Sequence, residues 1–263
     1  MVILASDYDG TLNQGGISQE NRDAILRFRE AGNLFGIVTG RDWRMYEVMQ
    51  RNDLSLDFIL AMNGAMLIST TGETSGQPVW CDRQRNNGCI RWIAEHVGKN
   101  YGHDLGCTVE QSHFCFHWQY PEGNDQFVPF ALTDQNFPGG VKEFSQLNTR
   151  CDTEELAARC AAEINSRWGD TVHALQNGTC IDIPPAGVDK GSGLARYAAY
   201  MHVPEENVFC AGDHMNDYAM IARFHGLAVE NAVPALKAAA EAVFPDIAGM
   251  IDFLLRDPRA GRL

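Results

Sequence analysis

Apolar runs of four or five residues recur along this chain, each closed by glycine or a polar residue. Val2-Ile3-Leu4-Ala5, Leu34-Phe35-Gly36-Ile37-Val38 and Val208-Phe209-Cys210-Ala211 are too short for helices. Their composition and boundaries predict fully buried strands, and residues 227–229 predict a fourth. Helical patterns alternate with them. Ser18 is placed to cap a helix that stops near Ala31-Gly32, with glycine at the usual end. Further helices are expected over 42–51, from Asp189 to about Tyr200, from Asn216, from Pro234 and over 247–255. Such alternation predicts an α/β fold with a parallel sheet covered on both faces.

From about Cys81 the texture changes. Polar, Gly- and Pro-rich stretches such as Pro121-Glu122-Gly123-Asn124-Asp125 and Phe137-Pro138-Gly139-Gly140 separate strand-like segments and two helices, expected over 85–97 and 153–168. Pro184-Pro185 marks the return. The expectation is a core of residues 1–82 and 186–263, interrupted by an inserted α+β unit over 83–185. An insertion with two crossings suits a lid over a water-sensitive intermediate.

The predicted strands end in chemistry. The first delivers Asp7-Tyr8-Asp9-Gly10-Thr11, the second Thr39-Gly40-Arg41, and the third Gly212-Asp213-His214-Met215-Asn216-Asp217. Ligands of open α/β sheets bind at the carboxyl ends of the strands. Two carboxylates two residues apart repel unless a cation or a shared proton relieves them, so Asp7 and Asp9 read as an Mg²⁺ site. Lys190, in Gly187-Val188-Asp189-Lys190-Gly191, is a candidate cation to face a phosphate. Each motif alone has an ordinary reading as a solvated loop, turn or surface lysine; four in order at strand ends do not.

In that order, D-Y-D-G-T, T-G-R, the lysine and G-D-H-M-N-D resemble the motifs of the haloacid dehalogenase superfamily of phosphohydrolases. The Met62-Asn63-Gly64-Ala65 segment resembles its Cof-type branch, subfamily IIB. The resemblance implies a Rossmann-like doubly wound parallel sheet with an inserted α+β cap. It also implies a phosphatase that passes through an aspartyl-phosphate. On that basis Asp7 is the nucleophile and Asp9 the general acid and base. Mg²⁺ is held by Asp7, the Asp9 carbonyl and Asp213, with Asp217 and Asn216 as outer ligands. Thr39 and Gly40 bind phosphate oxygens and Lys190 neutralises them. Arg41 and Asn63 either touch substrate or, for Arg41, pair with Asp42, Glu47 or the cap hinge. Late in the chain, Ala228-Val229-Glu230-Asn231-Ala232 and Phe244-Pro245-Asp246-Ile247 depart from the branch's usual pattern.

Composition narrows the partners. Hydrophobic residues make up 45% of 263, enough for a core. A formal charge of −13 argues against nucleic acid or an anionic membrane. No stretch approaches the roughly 20 apolar residues of a membrane span. The start of the chain lacks a basic signal region, so the expected location is cytoplasmic. The eight cysteines contain no C-x-x-C pair and are expected as free thiols. Along His113-Phe114-Cys115-Phe116-His117-Trp118, alternation puts His113, Cys115 and His117 on one face, toward a cleft, with zinc a conceivable ligand. His113, His117, Trp118 and Tyr120 are the candidate substrate-facing residues of the insertion.

The leading expectation is an Mg²⁺-dependent phosphatase of small phosphorylated metabolites, sugar phosphates foremost. A phosphomannomutase-like mutase needs a basic cap, and residues 100–142 are poor in Lys and Arg. An inert binding protein on this scaffold would not need both Asp7 and Asp9.

Overall fold

The computed structural model describes residues 1–116 and 140–256. The chain opens with β1 (Ile3–Ser6), α1 (Gln19–Glu30), β2 (Leu34–Val38), α2 (Met45–Arg51), β3 (Phe58–Ala61), β4 (Met66–Ile68) and β5 (Pro78–Cys81). It continues through β6 (Gln84–Arg85), α3 (Cys89–Tyr101), β7 (Leu105–Val109), β8 (Ser112–Phe116), β9 (Glu143–Phe144), β10 (Gln146–Arg150), α4 (Glu154–Trp168), β11 (Leu175–Asn177) and β12 (Cys180–Ile183). It returns through α5 (Lys190–Tyr200), β13 (Val208–Gly212), α6 (Tyr218–Arg223), β14 (His225–Val229), α7 (Pro234–Ala239), β15 (Ala242–Phe244) and α8 (Ile247–Leu254). Two compact units result, Met1–Trp80 with the chain from Asp189 onward, and Cys81–Val188.

In the first unit the strands form one sheet in the order β15-β14-β13-β1-β2-β3-β4-β5. It is parallel from β15 to β3, and β4 then runs antiparallel to β3. The parallel core is as expected, and the antiparallel return adds strands beyond it. Met66–Ile68 follows β3 after a tight 3-10 turn, which leaves no length for a crossover helix. The central strands carry buried side chains throughout, Ile3, Leu4, Phe35 and Phe209 among them. Each contributes on the order of 1.5–3 kcal/mol by leaving water. From β1 the chain steps outward one way through β2 and β3, and the other way through β13, β14 and β15. The β1–β13 boundary is therefore the switch point at which an open α/β sheet leaves a crevice.

Caps explain most helix boundaries. Ser18 Oγ accepts from Asn21 N, Thr153 Oγ1 from Leu156 N, and Asp189 Oδ1 from Ser192 N. Helix α2 begins at Met45, three residues later than the pattern predicted. The Asp42 carboxylate accepts from Arg44 N and from the Arg44 guanidinium, a local turn that competes with helix. The helix expected from Arg85 starts at Cys89, because Gln84–Arg85 pairs with Glu143–Phe144.

The second unit has an antiparallel sheet in the order β11-β12-β10-β7-β8. Ile90, Ile93 and Val97 of α3 and Cys160 and Ile164 of α4 share a core with Leu105, Cys107, Leu147 and Ile181. On β8, Phe116 is buried in that core and Phe114 packs against it, so His113 and Cys115 fall on the opposite face. His117, Trp118 and Tyr120 lie outside the described residues.

Candidate active site

Three adjacent strands present their ends together. Asp7 follows β1 and its N–H extends the ladder to Ala211 O of β13 at 2.9 Å. Asp213 follows β13. Thr39 follows β2, with its N–H on Leu60 O at 2.9 Å. Sequence positions 7, 39 and 213 thus reach one edge of the sheet because their strands are neighbours in register.

Lys190 completes the group from the first turn of α5. Its ammonium, fully buried, donates to Asp7 Oδ1 at 2.5 Å and to Asp217 Oδ1 at 2.6 Å. Asp217 Oδ2 accepts from Asp213 N at 2.9 Å and His214 N at 3.2 Å. Both Asp217 oxygens are therefore engaged within the protein, anchoring Lys190 on one side and the Asp213 loop on the other. Thr11 Oγ1 donates to Asp213 Oδ1 at 3.1 Å. At Gly10 (φ +85°) the left-handed backbone and the Asp213 carboxylate against it leave no room for a Cβ.

The electrostatics are unbalanced toward negative. One carboxylate oxygen each from Asp7, Asp213 and Asp217 lie within 4.8 Å of one another, with the Lys190 ammonium against two of them. Burial pushes Asp7 up to about 8, with Lys190 opposing and Asp217 and Asp213 reinforcing the shift. Asp213 is raised by burial and by Asp217. Burial pulls Lys190 down, but Asp217 and Asp7 outweigh it and hold the ammonium charged well above its usual range. An all-oxygen donor set of this charge fits a hard divalent cation. Asn216 also fits: it is 7% exposed, and its Oδ1 is buried with no hydrogen-bond partner among the described residues, a group that a ligand would satisfy.

The remaining expected residues line the same edge. Thr39 is buried, its hydroxyl accepting from Arg41 N at 3.1 Å. Arg41 pairs with Asp9 rather than with Asp42 or Glu47; Nε and Nη2 each reach a carboxylate oxygen at 2.7 Å. The Thr39-Gly40-Arg41 segment is locked to the next turn by Asn63 N on Thr39 O and Met62 N on Arg41 O, both 2.8 Å. Asn63 itself is fully buried in left-handed conformation (φ 55°), which asparagine tolerates better than most residues. Asn231 was not expected here: its side chain donates to Gly10 O at 2.8 Å across 221 positions. In the sequence it stands just after the strand at 227–229, within the Ala228–Ala232 segment that departs from the branch's usual pattern.

A mostly parallel α/β sheet thus carries three acids and one buried ammonium at its switch point. The sequence profile of the haloacid dehalogenase-like hydrolases matches residues 4–248. The chain belongs to that family. It is 25% identical over 263 residues to the 5-amino-6-(5-phospho-D-ribitylamino)uracil phosphatase YwtE of Bacillus subtilis (strain 168), covering 90% of each chain. It is 24% identical over 259 residues to the HMP-PP phosphatase of Yersinia pestis (strain Pestoides F), covering 89% of this chain and 86% of the other. The solved structure of SMU.1108c from Streptococcus mutans UA159 shares the fold, with a TM-score of 0.79 at 19% identity, over 98% of this chain and 100% of that one.

Proposed function

We propose that this hydrolase is an Mg²⁺-dependent phosphatase of small phosphorylated metabolites, sugar phosphates foremost, working through an aspartyl-phosphate on Asp7. The observation that carries the reading is the buried Asp7–Lys190–Asp217 array at the β1–β13 switch point. The phosphatase names of the two curated relatives support it.

In this reading an Asp7 oxygen attacks phosphorus and the ester P–O bond breaks. The departing alkoxide takes a proton from Asp9. Water then attacks the acyl phosphate, Asp9 removes its proton, and Asp7 and inorganic phosphate are released. Positioned proton transfer of this kind is worth roughly 10²–10⁴-fold. Lys190 holds the Asp7 carboxylate in one orientation and neutralises charge on the transferring group. Thr39 and Gly40, on a turn locked from two sides, bind phosphate oxygens, with Arg41 and Asn63 at its flanks. Asp7, Asp213 and the Asp9 carbonyl would hold Mg²⁺, Asn216 and Asp217 supporting it from outside. Bound there, the ion screens the repulsion between carboxylate and phosphate dianion. The inserted unit, expected over 83–185, serves as the cap that selects the leaving group, and the location is cytoplasmic.

A screen of phosphorylated metabolites with wild type and Asp7→Asn, with and without Mg²⁺, tests this. Hydrolysis should require the metal and fall on the order of 10³-fold or more in the variant. Activity surviving the substitution would end the covalent mechanism, and activity after chelation would end the metal assignment.

A further inference from the structure

The turn that follows β14 touches both loops on which the proposed metal site depends. Asn231 Nδ2 donates to Gly10 O at 2.8 Å, and two residues later Val233 N donates to Asp213 O at 2.8 Å. The two loops also meet each other directly, through Thr11 Oγ1 and Asp213 Oδ1. Three contacts therefore close a triangle of Asp9-Gly10-Thr11, Asp213 and the 231–233 turn. The turn itself is well anchored. Glu230 N bonds Phe244 O of β15 at 2.9 Å, Ala232 N bonds Val229 O at 3.0 Å, and Pro234 begins α7.

Gly10 is the weak point of the first loop, since its left-handed backbone has no side chain to fix it. Two bonds restrain it. Gly10 N donates to Asn13 O at 3.0 Å, which sets the peptide plane carrying the Asp9 carbonyl. The Asn231 amide holds the next carbonyl. Only the amide N–H₂ can face a carbonyl oxygen favourably, so the orientation of Asn231 is determined by its partner. Asn231 is exposed, so burial does not dictate this contact.

We infer that Asn231 is a positioning residue for the divalent cation. Resting on the Mg²⁺ reading above, the 231–233 turn clasps the two loops and sets the spacing between the Asp9 carbonyl and the Asp213 carboxylate. Groups that orient metal ligands typically influence affinity 10–100-fold. Titration calorimetry with Mg²⁺ alone, on wild type, Asn231→Ala and Glu230→Ala, tests it. Glu230 shares the turn and, among the described residues, engages it through its backbone N–H on Phe244 O. Asn231→Ala should bind Mg²⁺ about tenfold more weakly, with Glu230→Ala like wild type and the metal-free melting temperatures of all three within about 1 °C, under the roughly 2–4 °C that a 1 kcal/mol change gives a chain of this size. Equal Mg²⁺ affinity in wild type and Asn231→Ala overturns the inference. So does an equal loss in Glu230→Ala, or a metal-free Asn231→Ala that melts several degrees lower, since either assigns the contact to folding. Wild type that binds no Mg²⁺ overturns the metal reading, and this inference with it.

Discussion

Arg41 lays its guanidinium fork across Asp9, Nε and Nη2 each 2.7 Å from one carboxylate oxygen, and also lies 5.3 Å over the Tyr8 ring. The pair is almost half exposed, 48% for Arg41 and 46% for Asp9. Exposed ion pairs contribute about 0–1 kcal/mol to folding. The fork's geometric grip on Asp9, the proposed acid–base group, is the larger consequence, because an error of about 1 Å in such a group can reduce rate roughly 10²-fold. Arg41→Lys keeps the charge but cannot form the fork. Both Arg41→Lys and Arg41→Ala should therefore lose about 10- to 10²-fold in kcat, with melting temperatures shifted by only a few degrees. Steady-state kinetics beside calorimetry separates these outcomes; an Arg41→Lys enzyme of wild-type kcat would remove the fork from the mechanism.

Lys190 has the opposite profile. It is fully buried between Asp7 and Asp217, which are 5% and 0% exposed. Removing one partner of a buried pair leaves an uncompensated charge and costs about 3–5 kcal/mol. Lys190→Met should destabilise the protein by that amount in urea unfolding. Adding Asp217→Asn removes one of the stranded charges and should recover about half of the loss. Both variants should be inactive. A Lys190→Met protein as stable as wild type would show that the carboxylates tolerate burial without the ammonium.

The meeting of Asp7, Thr39 and Asp213 at one sheet edge was legible because strand ends are local signals. Each apolar run stops at most one residue short of Asp7, Thr39 or Asp213, and sheet topology then brings the stops together. Helix starts at Ser18, Thr153 and Asp189 were legible for the same reason, since a capping side chain bonds an N–H three residues on. What escaped was long-range or competitive. Arg41 had acids at 42 and 47 nearby in sequence, yet its partner is Asp9, in the loop after the neighbouring strand β1. Asp42 diverted the start of α2 by bonding Arg44. The edge strand β15 has only three residues, too few to show a period. Asn231 meets Gly10 across 221 positions, a contact no spacing rule reaches.

Helix α5 must approach the 62–64 turn closely for Lys190 to reach its partners. At Gly193, a Cβ would run into the Gly64 Cα and carbonyl, backbone atoms that cannot rotate aside. Gly→Ala within an exposed helix normally stabilises by about 1 kcal/mol. Here overpacking, worth about 1–3 kcal/mol, should outweigh that gain. Gly193→Ala is expected to be less stable than wild type and to lose kcat more than KM, because Lys190 lies in the same first turn. A stabilised, fully active Gly193→Ala would mean that the helix can back away without moving the ammonium.

The second unit carries a pH-dependent clasp of its own. Tyr101 Oη donates to Glu163 Oε2 at 2.6 Å, and His96 Nε2 approaches the same oxygen at 2.8 Å, joining α3 to α4. The Tyr101 hydrogen bond, opposed by desolvation and assisted by His96, holds Glu163 below its usual 4.5. Burial, with the bond to Glu163 reinforcing it, pushes Tyr101 up to about 12. A carboxyl whose folded value is depressed binds protons more tightly when unfolded, so its contribution is present above 4.5 and lost as pH falls through the folded value. Glu163 is 41% exposed, which limits the effect to about 1 kcal/mol or less. Glu163→Gln should therefore be less stable than wild type at pH 7 by roughly that amount in urea unfolding. The gap should narrow as pH drops below 4.5. A gap constant from neutral to strongly acidic pH would mean that the ionised carboxylate is not what joins the two helices.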